Sequence, residues 1–255
     1  MRCFIAMRYW HPMTREAVQQ VADYQPDRVV LLPLYPQYST TTTGSSVATW
    51  HRAAVAAGLR VPTRVVCCYP IENGFVQAVT ENIREALAEN TQSPRPRVLF
   101  SAHGLPKKVV DRGDPYQWQV EQTAAAVVEA LAVDGPDWVV CYQSRVGPLE
   151  WIGPSTDDEI KRAGNDGVPL IVVPIAFVSE HSETLVELDI KYARLAKDHG
   201  VPAYVRVGTV QAASSFVMGL AGVVRTILEA EATPCSHLAR RLCPNDWTRC
   251  PAARE

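Results

Sequence analysis

The chain has 255 residues, with 27 acidic and 25 basic side chains and a net charge of -2. This balance gives no chain-wide field that would favour nucleic acid or anionic lipid as a partner. Hydrophobic residues make up 47% and charged residues 20% of the chain. These fractions are typical of a globular protein with a sizeable core and exclude a disordered one.

The apolar segments indicate a protein without a membrane span. The longest strongly apolar run, residues 170–178, is too short to cross a bilayer and contains Pro174, so it is interpreted as a buried strand. The first residues show neither the charged region nor the long apolar region of a secretory signal. We therefore expect a cytoplasmic location, where the seven cysteines are thiols or metal ligands before they are disulfides.

Short β-branched runs alternate with segments of helical period, which is typical of parallel sheets covered by helices. The predicted strands are residues 3–7, 28–34, 64–69, 97–101, 138–142, 170–175 and 203–207. The predicted helices are residues 15–22, 46–57, 75–88, 117–133, 157–163, 183–196 and 214–230.

The polar segment 90–95 is the best linker in the chain and separates three predicted strands from four. We predict an α/β protein with two Rossmann-like lobes that have parallel sheets flanked by helices. The first strand begins two residues after Met1, so the front lobe is expected to start in mid-domain, with an upstream strand and helix missing. The predicted divisions are lobes at 1–90 and 96–212, a closing helix at 213–231 and a cysteine-containing tail at 232–255.

His103 is the first candidate functional residue. In open α/β sheets, ligands bind beyond the carboxyl ends of the strands. The strand at 97–101 runs into the segment AHGLP, which puts His103 directly after it. An imidazole there can accept a proton near neutral pH or ligate a metal. The alternative is a histidine that only hydrogen-bonds a turn.

An acidic row follows the strand at 170–175. Glu180, Glu183 and Glu187 fall at i, i+3 and i+7, and are predicted to share one face of a helix. The opposite, apolar face is predicted to consist of Leu185, Leu188 and Tyr192.

This acidic row suits a path for a hard or borderline cation. His181 beside Glu183 favours divalent iron, because imidazole with carboxylate suits that ion better than carboxylates alone. The alternative is an ordinary solvated face in which Glu187 pairs with Lys191.

Aromatic residues follow three other predicted strands. Trp151 lies in a loop bracketed by prolines, where its face would stack on a flat apolar ligand or pack beneath the loop. Arg8 and Tyr9 follow the first strand, and Tyr35 follows the second. Guanidinium and phenol groups beside aromatic faces suit a large planar molecule that bears carboxylates.

These segments resemble one family, the ferrochelatases, which insert ferrous iron into a porphyrin at the end of haem synthesis. The resemblance implies a two-lobed α/β enzyme with a porphyrin cleft between the lobes. It also implies that Fe2+ and protoporphyrin IX are the substrates. The matching segments run in family order up to about Phe216, and are FIAMRYWHP, LYPQYSTTTTGSS, LFSAHGLP with VVDRGDPY, CYQSRVGPLEWIGPSTDDEI and VPIAFVSEHSETLVELDIKY.

The resemblance assigns roles to individual residues. It implies that His103 is the active-site histidine, Glu183 its carboxylate partner and His181 the second histidine of that segment. Many relatives carry a further acid where this chain has Lys191. The expected metal contacts are His103, Glu183, Glu180 and Glu187. The expected substrate-binding residues are Arg8, Tyr9, Tyr35, Gln143, Ser144 and Trp151.

The tail carries Cys235, Cys243 and Cys250. Some ferrochelatases bind a [2Fe-2S] cluster through three tail cysteines and one internal cysteine, and such a cluster needs four ligands. Where animal relatives have the internal cysteine, this chain has Thr40. We therefore leave a cluster open but favour a flexible, thiol-bearing tail. The other candidate ligands are Cys3, Cys67, Cys68 and Cys141.

The predicted reaction is insertion of ferrous iron into protoporphyrin IX, which gives protohaem and releases two protons. His103 is expected to accept protons with the help of Glu183. The third expected catalytic residue is His181, which together with the acidic row is expected to arrange proton exit or metal approach. The alternatives are iron insertion into coproporphyrin, cobalt insertion into a sirohydrochlorin-type ring, and a non-catalytic haem- or porphyrin-binding protein. No nucleic acid partner is expected, whereas peripheral membrane contact and the oligomeric state are left open.

Overall fold

A computed structural model of the protein describes residues 1–89, 94–133, 135, 137–230 and 233–252. Most of the predicted linker, residues 90–93, lies outside the described residues. The same holds for residues 231–232 and 253–255, which belong to the predicted closing helix and tail. Within the described ranges, no helix combines the length and the apolar character needed to cross a bilayer.

The described strands form two parallel sheets, which confirms the predicted α/β class. The first sheet has the order β1-β2-β7, with β1 at Val29–Leu31, β2 at Thr63–Cys68 and β7 at Cys235–Ser236. The second sheet has the order β4-β3-β5-β6. Its strands are β3 (Arg97–His103), β4 (Trp138–Gln143), β5 (Leu170–Pro174) and β6 (Tyr204–Arg206).

Helices cover both sheets, as the alternating sequence pattern predicts. A π-helix at Glu183–Tyr192 runs directly into α7. The α-helices are α1 (Thr14–Tyr24), α2 (Thr43–Ala56), α3 (Asn73–Glu89), α4 (Lys107–Val110), α5 (Tyr116–Leu131), α6 (Thr156–Asp166), α7 (Ala193–Asp198) and α8 (Ser214–Glu229).

The main apolar core extends across both sheets. It contains Val66 of the first sheet, Phe100 and Ile171 of the second, and Phe75 and Phe216 of helices α3 and α8. The rings of Phe75 and Phe216 pack with their centroids 5.8 Å apart. Strand β5 is buried along its whole length, which explains why its sequence is a continuous apolar run. The division of the chain into lobes stays a prediction.

The predicted strand at 3–7 is wrong. Met7 makes a single bridge with Met13, and the Met7 N–H donates to Pro12 O over 2.8 Å. Residues 1–6 have no regular secondary structure, and Ile5 is 67% exposed. A β-branched or aromatic run becomes a strand only when a neighbouring strand pairs with it, and among the described residues this segment has no such partner.

The tail is packed rather than loose, contrary to the expectation of a flexible tail. Strand β7 pairs in parallel with β2, and Cys235, Cys243 and Cys250 are all buried. The guanidinium of Arg241 donates hydrogen bonds to backbone carbonyls of four tail residues, which holds the tail in an irregular but compact path. These residues are Cys243, Pro244, Trp247 and Ala252.

Candidate active site

The centre of the site is a close pair between His103 and Glu183. His103 is the last residue of β3 and lies in register with Gln143, the last residue of β4. Glu183 begins the π-helix that follows β5. The Nδ1 atom of His103 lies 2.6 Å from Glu183 Oε2. The carboxyl ends of adjacent parallel strands thus bring together the imidazole and the carboxylate that the sequence singles out.

The two partners shift each other's ionisation in a consistent way. The hydrogen bond to Glu183 raises the pKa of His103 above its ordinary value, although burial opposes it. For Glu183, burial is the largest influence and acts upward, but the hydrogen bond to His103 and the charges of His103 and His181 lower its pKa overall. Both shifts favour the charged form of the group, so each partner stabilises the charge of the other.

Ser144 joins Glu183 to Glu187. Its hydroxyl donates a short hydrogen bond to Glu187 Oε2 and lies 3.2 Å from Glu183 Oε2, and its backbone N–H donates to Glu187 Oε1 over 3.1 Å. Ser144 has a left-handed backbone with φ of 58°, which is uncommon for a residue other than glycine. This conformation turns both of its donors toward one carboxylate.

Gln143 fixes the start of the π-helix through hydrogen bonds of its side chain. Its side chain is fully buried. Its Oε1 accepts from Ser101 Oγ over 2.8 Å, and its Nε2 lies 3.2 Å from both Glu183 O and Glu187 Oε2.

The helix that carries Glu183 and Glu187 has π rather than α geometry, which changes its faces. The i→i+5 hydrogen bonds of a π-helix bring each residue close to the fifth residue along. Tyr192, five residues after Glu187, accordingly donates to Glu187 Oε1 over 3.2 Å. Leu188 and Tyr192 are buried as predicted, but Leu185 is 48% exposed, so its place on the apolar face is wrong.

Glu180 does not share a face with Glu183 and Glu187, so this part of the predicted acidic row is wrong. The helix begins after Ser182, and Glu180 lies in the loop before it. Its Oε1 is 2.7 Å from Arg206 Nη1 and accepts from the Thr209 N–H over 2.9 Å. Arg206 also pairs with Asp189 over 2.7 Å.

Lys191 contacts Glu187, as the alternative interpretation predicts. The Lys191 ammonium is 3.5 Å from Glu187 Oε1 and 3.9 Å from Asp157 Oδ1. Only 15% of the Glu187 side chain is exposed. Glu187 is therefore both half of a surface pair and a partner of Ser144.

His181 and Trp151 lie beside the central pair. The Glu183 N–H donates to His181 Nδ1 over 3.1 Å, and the His181 ring packs edge-on against Phe177. Trp151 forms a bridge with Pro106 and lies against Gly104, where a Cβ atom would come within 3.3 Å of its ring. The missing side chain at Gly104 therefore allows the indole to approach the segment that follows His103.

Three of the expected substrate-binding residues, Arg8, Tyr9 and Tyr35, also lie together, near the first sheet. Arg8 Nε donates to Ser45 Oγ over 2.9 Å, and its guanidinium lies over the Tyr9 ring, 4.5 Å from the centroid. The pKa of Tyr35 is raised by burial and by Tyr9, and is opposed by Arg8, so the three side chains influence one another. Tyr9 is 74% exposed.

Sequence reasoning missed two residues close to the site, Asp114 and Tyr116. Tyr116 is buried, and its pKa is raised by burial and then by the charges of Glu183 and Asp114, while a hydrogen bond with the His103 backbone opposes the rise. The available signal is the segment RGDPY, in which an acid precedes a proline at a helix start.

The tail thiols lie near the internal cysteines Cys67 and Cys68. The Sγ atoms of Cys67 and Cys68 are 3.3 Å apart. Gln119 Nε2 lies 3.4 Å from Cys68 Sγ and 3.1 Å from Cys243 Sγ. A hydrogen bond with Cys243 is the main cause that lowers the pKa of Cys250 to about 6.

These contacts do not amount to a metal site. Within the described ranges, no group of three or more His, Cys, Asp or Glu side chains is placed to hold a metal ion. The [2Fe-2S] cluster stays a prediction that is not favoured.

Solved structures show the class of fold. The chain is similar to SirB from Bacillus subtilis with Fe3+, with a TM-score of 0.62 and 14% identity over 86% of this chain and 79% of that one. It is also similar to the sirohydrochlorin chelatase SirB from Bacillus subtilis subspecies spizizenii in complex with cobalt, with a TM-score of 0.60 and 12% identity over 88% of this chain and 80% of that one. The fold is thus that of the two-sheet α/β chelatases.

Sequence comparisons give the family. The Ferrochelatase family model matches residues 1–228. A ferrochelatase of Caulobacter vibrioides is 53% identical over 251 residues, which cover 98% of this chain and 71% of the relative. One from Pelagibacter ubique is 40% identical over 250 residues, which cover 98% and 72%. The chain belongs to the ferrochelatase family.

Proposed function

We propose that the chain inserts ferrous iron into protoporphyrin IX to form protohaem, the last step of haem b synthesis, with release of two protons. Membership of the ferrochelatase family supports iron insertion in haem synthesis. The observation that carries the proposal is the pair of His103 and Glu183, 2.6 Å apart at the carboxyl edge of the second sheet.

His103 accepts the protons that the two pyrrole nitrogens must lose. About 41% of its side chain is exposed, so a substrate can reach it. The imidazole must be neutral to act, and the Glu183 carboxylate then stabilises the imidazolium that forms. The raised pKa of His103 makes it a stronger base than a free imidazole once it is neutral.

Glu187 provides the next position for a proton or an approaching metal ion. The Ser144 hydroxyl contacts both Glu183 and Glu187, so it links the reacting pair to the outer carboxylate. We assign no metal contact to Glu180, because its carboxylate is held by Arg206 and Thr209.

The macrocycle is bound by aromatic and guanidinium side chains. A flat porphyrin hides its nitrogen lone pairs in the ring plane, so binding energy that favours a bent conformer lowers the insertion barrier. We propose Arg8, Tyr9, Tyr35 and Trp151 as these contacts. The fully buried Gln143 positions the π-helix instead of touching the ring, and Ser144 orients the carboxylates.

We propose the cytoplasm as the location. All seven cysteines are free thiols, which persist in a reducing compartment.

The test compares substrates and one variant. Iron insertion is measured anaerobically with protoporphyrin IX and with coproporphyrin, and cobalt insertion with sirohydrochlorin. Protoporphyrin turnover is expected to exceed the other two. His103→Ala should abolish turnover while fluorescence quenching still reports porphyrin binding, because the walls of the site remain.

Three results would contradict the proposal. Higher turnover with coproporphyrin, or with cobalt and sirohydrochlorin, would show that protoporphyrin IX is not the preferred substrate. Wild-type turnover in His103→Ala would remove its role, and porphyrin binding without any turnover in the wild type would favour a non-catalytic binding protein.

A further inference from the structure

Asp114 is a fully buried carboxylate that accepts hydrogen bonds from two separate parts of the chain. Its Oδ2 accepts from Ser39 Oγ over 3.0 Å, and from Thr40 N and Oγ1 over 2.7 Å each. Its Oδ1 accepts from the Tyr116 N–H over 3.0 Å. Burial of a charge is costly unless the charge is hydrogen-bonded, and these four donors meet that need.

Ser39 and Thr40 belong to the β1–α2 loop, residues 32–42, which carries candidate porphyrin contacts. Tyr35 lies in this loop, and Ser45, in the first turn of α2, holds Arg8. The loop is fastened to α5 at two further points. The Tyr38 N–H donates to Gln119 Oε1 over 2.7 Å, and Gln37 Nε2 donates to Thr123 Oγ1 over 3.0 Å.

On its other side, Asp114 lies at the start of the helix that passes behind the reacting pair. Tyr116, the first residue of α5, hydrogen-bonds the His103 backbone. It lies close enough to Glu183 for the charge of that carboxylate to raise the pKa of Tyr116. The positive end of α5 also stabilises the carboxylate. Asp114 thus stands between the loop with Tyr35 and the strand end with His103.

The tail packs against this turn at Gly113. Gly113 has a φ of 93°, and a Cβ atom there would come within 2.3 Å of Thr248 Oγ1. The Arg249 N–H donates to Gly113 O over 3.0 Å. Tail residues therefore contact the residue directly before Asp114.

We infer that Asp114 is a positioning residue for metal insertion. Its carboxylate fixes the β1–α2 loop, and with it the candidate porphyrin contact Tyr35, relative to His103. This inference rests on the proposed function. Asp114 touches neither the macrocycle nor the metal in this account; it acts through Thr40 and Tyr116.

The pattern of donors explains why a carboxylate is needed. An asparagine of the same size has one oxygen and one amide nitrogen. If its oxygen faces Thr40, its NH2 group meets the Tyr116 N–H; if it is turned round, the NH2 group meets the donors of Thr40. Either way, two donors face each other and at least one hydrogen bond is lost.

The experiment compares Asp114→Asn with Asp111→Asn, a matched control at an exposed acid in the same turn. Protoporphyrin binding is measured by fluorescence quenching, and turnover by iron insertion. Asp114→Asn is expected to raise the porphyrin Kd and KM about tenfold, the effect of losing a hydrogen bond to a charged group. The KM for iron should stay unchanged, and Asp111→Asn should behave as wild type.

A second pair of variants keeps the test decisive if Asp114→Asn does not fold. Thr40→Val removes one donor and should raise the porphyrin Kd about threefold, whereas Thr40→Ser restores the hydroxyl and should restore binding. A merely structural role predicts a lower Tm with wild-type Kd and KM below that temperature, and this result would overturn the inference. If the wild type binds porphyrin but inserts no iron, the proposed function fails, while weaker binding in these variants would still support the role of Asp114.

Discussion

The hydroxyl of Tyr192 donates a hydrogen bond to Glu187, five residues earlier in the same helix, over 3.2 Å. In an α-helix, each residue advances about 100° around the axis, so residues five apart point in different directions. The π geometry removes this separation and places a buried phenol under the carboxylate. Glu187 is therefore oriented from two sides, by Tyr192 and by Ser144.

Tyr192→Phe should weaken the use of iron without disturbing the core. The ring is fully buried and phenylalanine fills the same space, but Glu187 loses one of its donors. We expect a rise of about twofold to threefold in the KM for iron at saturating porphyrin. Tyr204→Phe is the matched control, because its hydroxyl donates to Leu188 O and not to Glu187. Equal effects of the two variants would contradict the assignment.

Glu183→Gln and Glu187→Gln should differ in kind. Glu183 contacts His103 directly, so its neutralisation should cripple turnover at every iron concentration. Glu187 lies one turn further along the helix, so Glu187→Gln should raise only the KM for iron. Steady-state iron titrations separate the two effects.

Lys191→Ala tests the surface-pair interpretation of Glu187. An exposed i,i+4 pair is worth about 0.3 kcal/mol. If Glu187 served only this pair, Lys191→Ala and Glu187→Gln would show the same small loss of stability and no kinetic change. We expect a kinetic change for Glu187→Gln alone.

The activity should rise as the pH increases through the raised pKa of His103, because only the neutral imidazole accepts a proton. Glu183→Gln removes the main cause of that rise in pKa. In that variant, the residual activity should therefore reach its plateau at lower pH. Profiles of kcat against pH for both proteins check this, and an unchanged profile would separate Glu183 from the titration of His103.

The same pair makes stability depend on pH. The pKa of His103 is raised in the folded state, so its contribution is complete below about pH 6.5, the ordinary value, and is lost as the pH rises through the raised pKa. For Glu183, whose pKa is lowered, the contribution is present above its ordinary value and is lost as the pH falls through the lowered one. The free energy of unfolding is measured in urea for the wild type and for His103→Ala at several pH values. The difference between the two free energies should become smaller as the pH rises.

Gly104→Ala should be destabilising and should reduce turnover. A Cβ atom there would come within 2.9 Å of Gln143 O and 3.3 Å of Trp151, and backbone cannot move aside cheaply. We expect a loss of about 2 kcal/mol. Gly208→Ala is the control, since nothing lies within 4 Å of its Cβ position. Thermal unfolding of the two variants provides the comparison.

Sequence patterns predict the second sheet and the central pair well, for physical reasons. Strands that are buried on both faces read as continuous apolar runs, so β3 and β5 stand out. His103 is visible because it lies at the carboxyl end of such a strand. Glu183 stands out in the acidic segment that follows β5, and the family resemblance implies its pairing with His103.

Three features could not be predicted from the local sequence pattern. The π-helix differs from an α-helix in its hydrogen-bond spacing, which moved Leu185 to the surface. The position of the Glu180 carboxylate depends on Arg206, which lies on strand β6. The path of the tail depends on its pairing with β2 and on Arg241, and local composition shows neither.

The strand order of the first sheet also bears on how the chain folds as it is synthesised. Strands β3 to β6 lie between residues 97 and 206, so the second sheet can be completed once that stretch has left the ribosome. Among the described residues, the third strand of the first sheet is residues 235–236. Until these residues are synthesised, β2 has an open edge that can pair with another chain. We therefore expect the nascent protein to be most prone to aggregation late in translation, when His103 is already in a finished sheet.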